Sequence, residues 1–194
     1  MVPLSKFRSA GEGRPMLKPL FASLLAVAFT MPGCGKNDPP PGLPRAPRAG
    51  QPAPEIVGVD LDGEPIKLSD YRGKVVALSF WANWCKYCVE LFPHEKQLVE
   101  EFREQPFVLL GANGDEPITL AKKAQEKYQL PWRSFYLDGP EGPIPTQWGV
   151  NGWPTIFLID AKGILRYRFE AAAPQSVERA IRTLLREMES EKKI

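Results

Sequence analysis

Histidine is almost missing from this chain: His94 is the only one among 194 residues, and there are three cysteines. A zinc site needs about four ligands. A centre built on Cys85 and Cys88 would have only Cys34 and His94 left to complete it, so no metal is expected. A dominant charge is missing too. The 25 basic and 23 acidic residues leave a formal net charge of +2, which gives no electrostatic case for nucleic acid. Long apolar runs are also lacking: Pro19 to Met31 spans thirteen residues, short of the ~20 that an ordinary spanning helix requires. From Lys36 to Pro54 the only large apolar side chain is Leu43, among prolines at 39, 40, 41, 44, 47, 52 and 54. Such a segment cannot bury enough surface to fold and favours extended polyproline II. Pro39 to Pro54 would reach roughly 50 Å at ~3.1 Å per residue.

What is present falls into three parts. Lys6, Arg8, Arg14 and Lys18 lead into the uncharged stretch from Pro19 to Met31, which suits the apolar region of a secretory signal. Met31-Pro32-Gly33-Cys34 then resembles a bacterial lipobox, in which Cys34 becomes the lipidated first residue; Pro32 departs from that pattern. Ordinary cleavage near Ala28 and an uncleaved anchor are the other readings. The chain therefore divides into a leader over 1–34, a proline-rich linker over 35–54 and a folded domain over 55–190. At 43% hydrophobic residues a real core can form.

The domain is organised around Phe80-Trp81-Ala82-Asn83-Trp84-Cys85-Lys86-Tyr87-Cys88. The apolar run Val75 to Leu78 before it reads as a buried strand. Val89, Phe92, Val99 and Phe102 after it have the spacing of a helix with one buried stripe. A Cys-x-x-Cys at a strand-to-helix turn sets two thiols one turn apart on one face. Their α-carbons then lie within ~5–6 Å, where a disulfide opens and closes without refolding the backbone. Unpaired N–H groups at the helix start and the adjacent Lys86 favour the thiolate of the first cysteine. The pattern points to redox chemistry; a static disulfide or half of a zinc site are the plainer readings.

At these residues the chain resembles the thioredoxin superfamily and, more narrowly, the TlpA/ResA-like thiol-disulfide oxidoreductases, over roughly Gly50 to Met188. The resemblance implies an α/β fold: a thioredoxin-like mixed sheet flanked by helices, with an N-terminal strand extension and a central insertion around Ile118–Leu137. It implies Cys85 as nucleophile, Cys88 as resolving thiol, and a cis bond before Pro154 in Trp153-Pro154-Thr155. Trp84, Trp153 and Thr155 become the substrate-binding candidates. Two places depart from the pattern. Thioredoxins carry a buried aspartate six residues before the first cysteine, where this chain has Ser79. ResA-like relatives place a glutamate three residues after the second, where this chain has Leu91. Glu90, displaced by ~100° around the helix, is the candidate proton acceptor, with water or a strand residue as alternatives.

Copper-delivery proteins of the Sco type use Cys-x-x-x-Cys, and peroxiredoxins use one cysteine after a Pro-x-x-x-Thr-x-x lead; neither is present. The sequence thus reads as a membrane-tethered, extracytoplasmic thiol-disulfide oxidoreductase, monomeric and without cofactor. It acts as a reductase on protein disulfides and is resupplied by a membrane electron donor. The alternative is a tethered module that holds clients without turnover.

Overall fold

A computed structural model describes residues 46–171 and 173–191. The leader, Cys34 and the linker as far as residue 45 lie outside the described residues.

The described chain opens with a hairpin, β1 (Val57–Val59) and β2 (Pro65–Lys67), paired antiparallel. Its turn falls at Asp62-Gly63, with Gly63 supplying φ +88°. Asp60 secures that turn: its Oδ1 accepts the N–H groups of Asp62 and Glu64, and Oδ2 accepts from Arg133 at 2.8 Å. A 3₁₀ turn at Leu68–Tyr71 leads into β3 (Val75–Trp81), which is buried at every position. There follow α1 (Lys86–Glu101), β4 (Phe107–Asn113), α2 (Ile118–Tyr128), β5 (Ser134–Tyr136) and α3 (Pro143–Trp148). The strands β6 (Thr155–Ile159) and β7 (Leu165–Glu170) precede α4 (Pro174–Glu191).

The main sheet has the order β5-β4-β3-β6-β7. β3, β4 and β5 run parallel through helical crossovers, while β6 pairs antiparallel with β3 and β7 antiparallel with β6. Because side chains alternate along a strand, β3 feeds two cores. Val75, Ala77 and Trp81 meet α1, α2 and α4 through Phe92, Ala121, Val177, Ile181 and Leu184. Val76, Leu78 and Phe80 meet the hairpin, α3 and β6 through Ile66, Trp148 and Phe157. This is the mixed α/β sheet flanked by helices that the sequence implies, with β1–β2 as the added N-terminal strands and α2–β5 as the insertion.

One boundary is corrected. The ordered domain begins before residue 55. The Gly50 N–H donates to Leu165 O, Leu165 N–H donates to Gln51 O, and Pro52 forms a bridge with Ile164. The end of the proline-rich stretch thus lies along the start of the edge strand β7, backbone to backbone. That pairing needs no large side chains, so composition did not reveal it. Helix α4 starts at Pro174; proline is favoured in a first turn, where its missing N–H costs nothing. Pro93 lies inside α1 with the helix continuing to Glu101, so it removes one donor without ending the element.

Candidate redox site

The end of β3 and the start of α1 position the two thiols. Cys85 is the N-cap of α1, with extended backbone, and its Sγ accepts the Cys88 N–H at 3.1 Å. The two residues form a disulfide with α-carbons 5.3 Å apart. Cys85 is 5% exposed and Cys88 1%, so Cys85 is the less buried residue of the pair. Thiolate formation at Cys85 would draw on the same N–H and the helix's positive end.

The turn between strand and helix is held from below by buried polar groups. Asp115, just beyond β4, accepts the Asn83 N–H with both oxygens, at 3.0 and 2.8 Å, and the Asn113 side-chain amide at 2.9 Å. Asn113 returns the contact, its Oδ1 accepting Asp115 N–H at 2.9 Å. Gly114, between them, donates its N–H to Trp81 O. A Cβ on Gly114 would come within 2.6 Å of the Trp153 ring, so only glycine allows Trp153 to lie this close.

The Trp153–Pro154 peptide is cis, as is Glu116–Pro117, which the sequence did not single out. Trp153 meets Trp84 edge to face at 5.7 Å, bringing the proline loop against the cysteine loop. Trp84 and Tyr87 are among the most exposed large apolar side chains described. Beside them lies a largely apolar groove of about 320 Å³, lined by Tyr87, Glu90, Leu91, Pro154, Ala171 and Pro174. A second cleft of about 510 Å³ is lined by Trp84 and Trp153 together with Glu141 and Asn151. An extended peptide laid across the disulfide would meet an apolar groove beside Tyr87 and Pro154 and a mixed polar and apolar cleft beside Trp84.

The remaining predicted residues divide. Thr155 is fully buried; its hydroxyl donates to Gly152 O at 2.7 Å and closes the turn around the cis-proline, so its side chain cannot reach substrate. Trp81 is core, its indole N–H donating to Ser134 Oγ at 3.3 Å through space that Gly111 leaves open. Glu90 is exposed and lies 3.7 Å from Lys86, one turn earlier, a pairing that draws it away from the interior. His94 belongs to no metal cluster, and none occurs among the described residues. The residue that sequence reasoning missed is Glu95, 2% exposed on α1. Burial pushes its carboxyl up to about 7, with the Ser79 hydroxyl pulling modestly the other way. A signal existed: Glu95 occupies a buried-stripe position seven residues after Cys88, and Ser79 interrupts an otherwise apolar strand.

Fold and site together define a thioredoxin-fold protein with a dithiol–disulfide pair at a helix N-terminus. The chain belongs to the AhpC/TSA family, which matches residues 49–168. A thiol-disulfide oxidoreductase ResA of Bacillus thuringiensis subsp. konkukian is 35% identical over 114 residues, 59% of this chain and 65% of that protein. This chain thus matches just under two thirds of that relative's length. A ResA of Halalkalibacterium halodurans is 32% identical over 133 residues, 68% of this chain and 74% of that one. Among solved structures, a Chlorobium tepidum protein described as a candidate thiol:disulfide interchange protein DsbE has a TM-score of 0.66 at 31% identity, covering 72% of this chain and 99% of its own.

Proposed function

We propose that this protein is a thiol-disulfide oxidoreductase that reduces disulfides in other proteins outside the cytoplasm. The observation that carries the reading is the Cys85–Cys88 disulfide capping α1, with Cys85 Sγ on the Cys88 N–H and the cis Trp153–Pro154 loop packed alongside. In the reduced protein, the Cys85 thiolate attacks a substrate disulfide and one substrate sulfur leaves. The Cys88 thiolate then attacks Cys85 Sγ, the mixed disulfide breaks, and the second substrate sulfur leaves. Two electrons pass to the substrate and the Cys85–Cys88 disulfide remains. Trp84, Tyr87 and the backbone at Trp153 receive the substrate segment.

The extracytoplasmic setting is supported by the leader pattern and by likeness to a secreted thiol-disulfide isomerase of Corynebacterium glutamicum, with a TM-score of 0.61 at 25% identity. In this reading Cys34 carries the lipid and a membrane protein returns electrons to Cys85–Cys88. Insulin-disulfide reduction tests the activity. Wild type should turn over above the dithiol background, and Cys85→Ser should abolish it. Turnover absent from the wild-type protein would favour a module that binds clients without reducing them.

A further inference from the structure

The apolar groove beside the cysteines draws its lining from the ends of four elements. Tyr87 and Leu91 stand one turn apart on the same side of α1, with Glu90 next to them. The pairing of Thr155 with Glu170 sets Pro154 and Ala171 beside each other at the ends of β6 and β7, and Pro174 adds the first residue of α4. The one charged lining residue, Glu90, lies 3.7 Å from Lys86. Tyr87 is 68% exposed. At about 320 Å³ the hollow is large enough for a bulky side chain and too small for a folded element.

The groove is continuous with the surface that would receive substrate. Pro154 follows Trp153, whose ring packs on Trp84 beside the disulfide. An extended segment whose cysteine bonds to Cys85 turns that side chain toward the protein. Side chains alternate along a strand, so the cysteine's immediate neighbours point away. The residues two positions off, roughly 7 Å along, point back toward the protein. One of these two meets the groove, and the other meets the mixed cleft lined by Trp84 and Glu141.

We propose that the groove seats a large apolar side chain, such as leucine, methionine or phenylalanine, two residues from the substrate cysteine, and that Leu91 sets this preference. This rests on the oxidoreductase reading above and leaves its exchange steps unchanged. Leu91 is half-buried and packs against the core, so its position is fixed before substrate arrives. A substrate leucine would cover what remains exposed of Leu91 and part of the Tyr87 ring, which are apolar surfaces now facing water. A substrate carboxylate there would lose water beside Glu90 and gain no partner from the apolar lining.

Symmetric disulfide dimers of a short peptide test this, because they present the same flanks whichever sulfur is attacked. Their single-turnover reduction by the dithiol protein is followed with leucine, glycine, lysine or aspartate two residues before, or two residues after, the cysteine. Leucine should exceed glycine by about 10-fold at one of the two positions, with aspartate slowest there. Leu91→Ala should shrink the leucine advantage. Leu91→Glu should invert the order at that position alone, lysine overtaking leucine. Each ratio is read within one protein, so a general loss of activity does not imitate it. Equal rates for all four residues at both positions, or an order that Leu91→Glu leaves intact, overturns the proposal. Absence of turnover with every peptide and with insulin instead sinks the oxidoreductase reading. The groove is then read with peptides carrying serine in place of cysteine. The leucine peptide should shift the Leu91 methyl resonances and the aspartate peptide should not; equal shifts, or none, overturn the groove assignment as well.

Discussion

A carboxyl group held among apolar side chains keeps its proton more tightly in the folded chain than in the unfolded one. Glu95 moves from 4.5 to about 7 on folding, so between those values the folded state binds more protons. Stability from this group is therefore greatest below pH 4.5 and declines as pH rises through 7, by on the order of 3 kcal/mol. Glu95→Gln should remove that slope, and thermal unfolding of the disulfide form from pH 4.5 to 8 measures it. Parallel curves for wild type and variant would show that the carboxyl is not held as described. At this scale the sequence was informative where chemistry follows spacing. Cys85 and Cys88 are defined by three residues of separation and a helix start. Glu95 stands at a buried-stripe position of α1, but what packs over it comes from other elements and is not local information. Glu90, nearer the cysteines in sequence, faces water because one helical position changes the direction of a side chain by ~100°.

At the scale of elements, the cysteine loop is fastened to the end of β4 as well as to its own helix. Asp115 receives Asn83 N–H and the Asn113 amide in a buried setting, and hydrogen bonds to a charged acceptor are worth about 1.5–3 kcal/mol each. Asp115→Ala should cost about 2–4 kcal/mol in denaturant unfolding and should raise hydrogen exchange at Asn83. Unchanged protection of that amide would show the clamp to be idle. Strands and long helices were legible because a period of 2 or 3.6 is local information; α2 falls at Ile118–Tyr128 as expected. The short α3, Pro143–Trp148, is not legible this way, since a six-residue helix carries too few positions to show a period. The clamp was illegible for another reason. Asn83, Asn113 and Asp115 read as loop residues until the parallel pairing of β3 with β4 brings their ends together.

At the scale of the whole molecule, the described fold begins earlier than composition suggests. Pairing of Gly50 and Gln51 with Leu165 draws the last part of the proline-rich stretch onto the domain, so any tether ends earlier than composition suggests. Mass spectrometry of the mature protein should find Cys34 as a lipidated first residue, and Cys34→Ala should abolish the adduct while leaving insulin reduction intact. An N-terminus upstream of Cys34 without lipid would show that Pro32 blocks processing. The tryptophans are distributed just as unevenly. Trp81, Trp132 and Trp148 are buried, while Trp84 is 56% exposed beside the disulfide and leans on Trp153. A disulfide is an efficient electron acceptor from an excited indole, so this arrangement makes the molecule its own optical gauge. Emission should brighten on reduction, and Trp84→Phe should remove most of that change. The redox poise of the protein could then be followed by light alone, with no dye attached to the cysteines whose chemistry is in question.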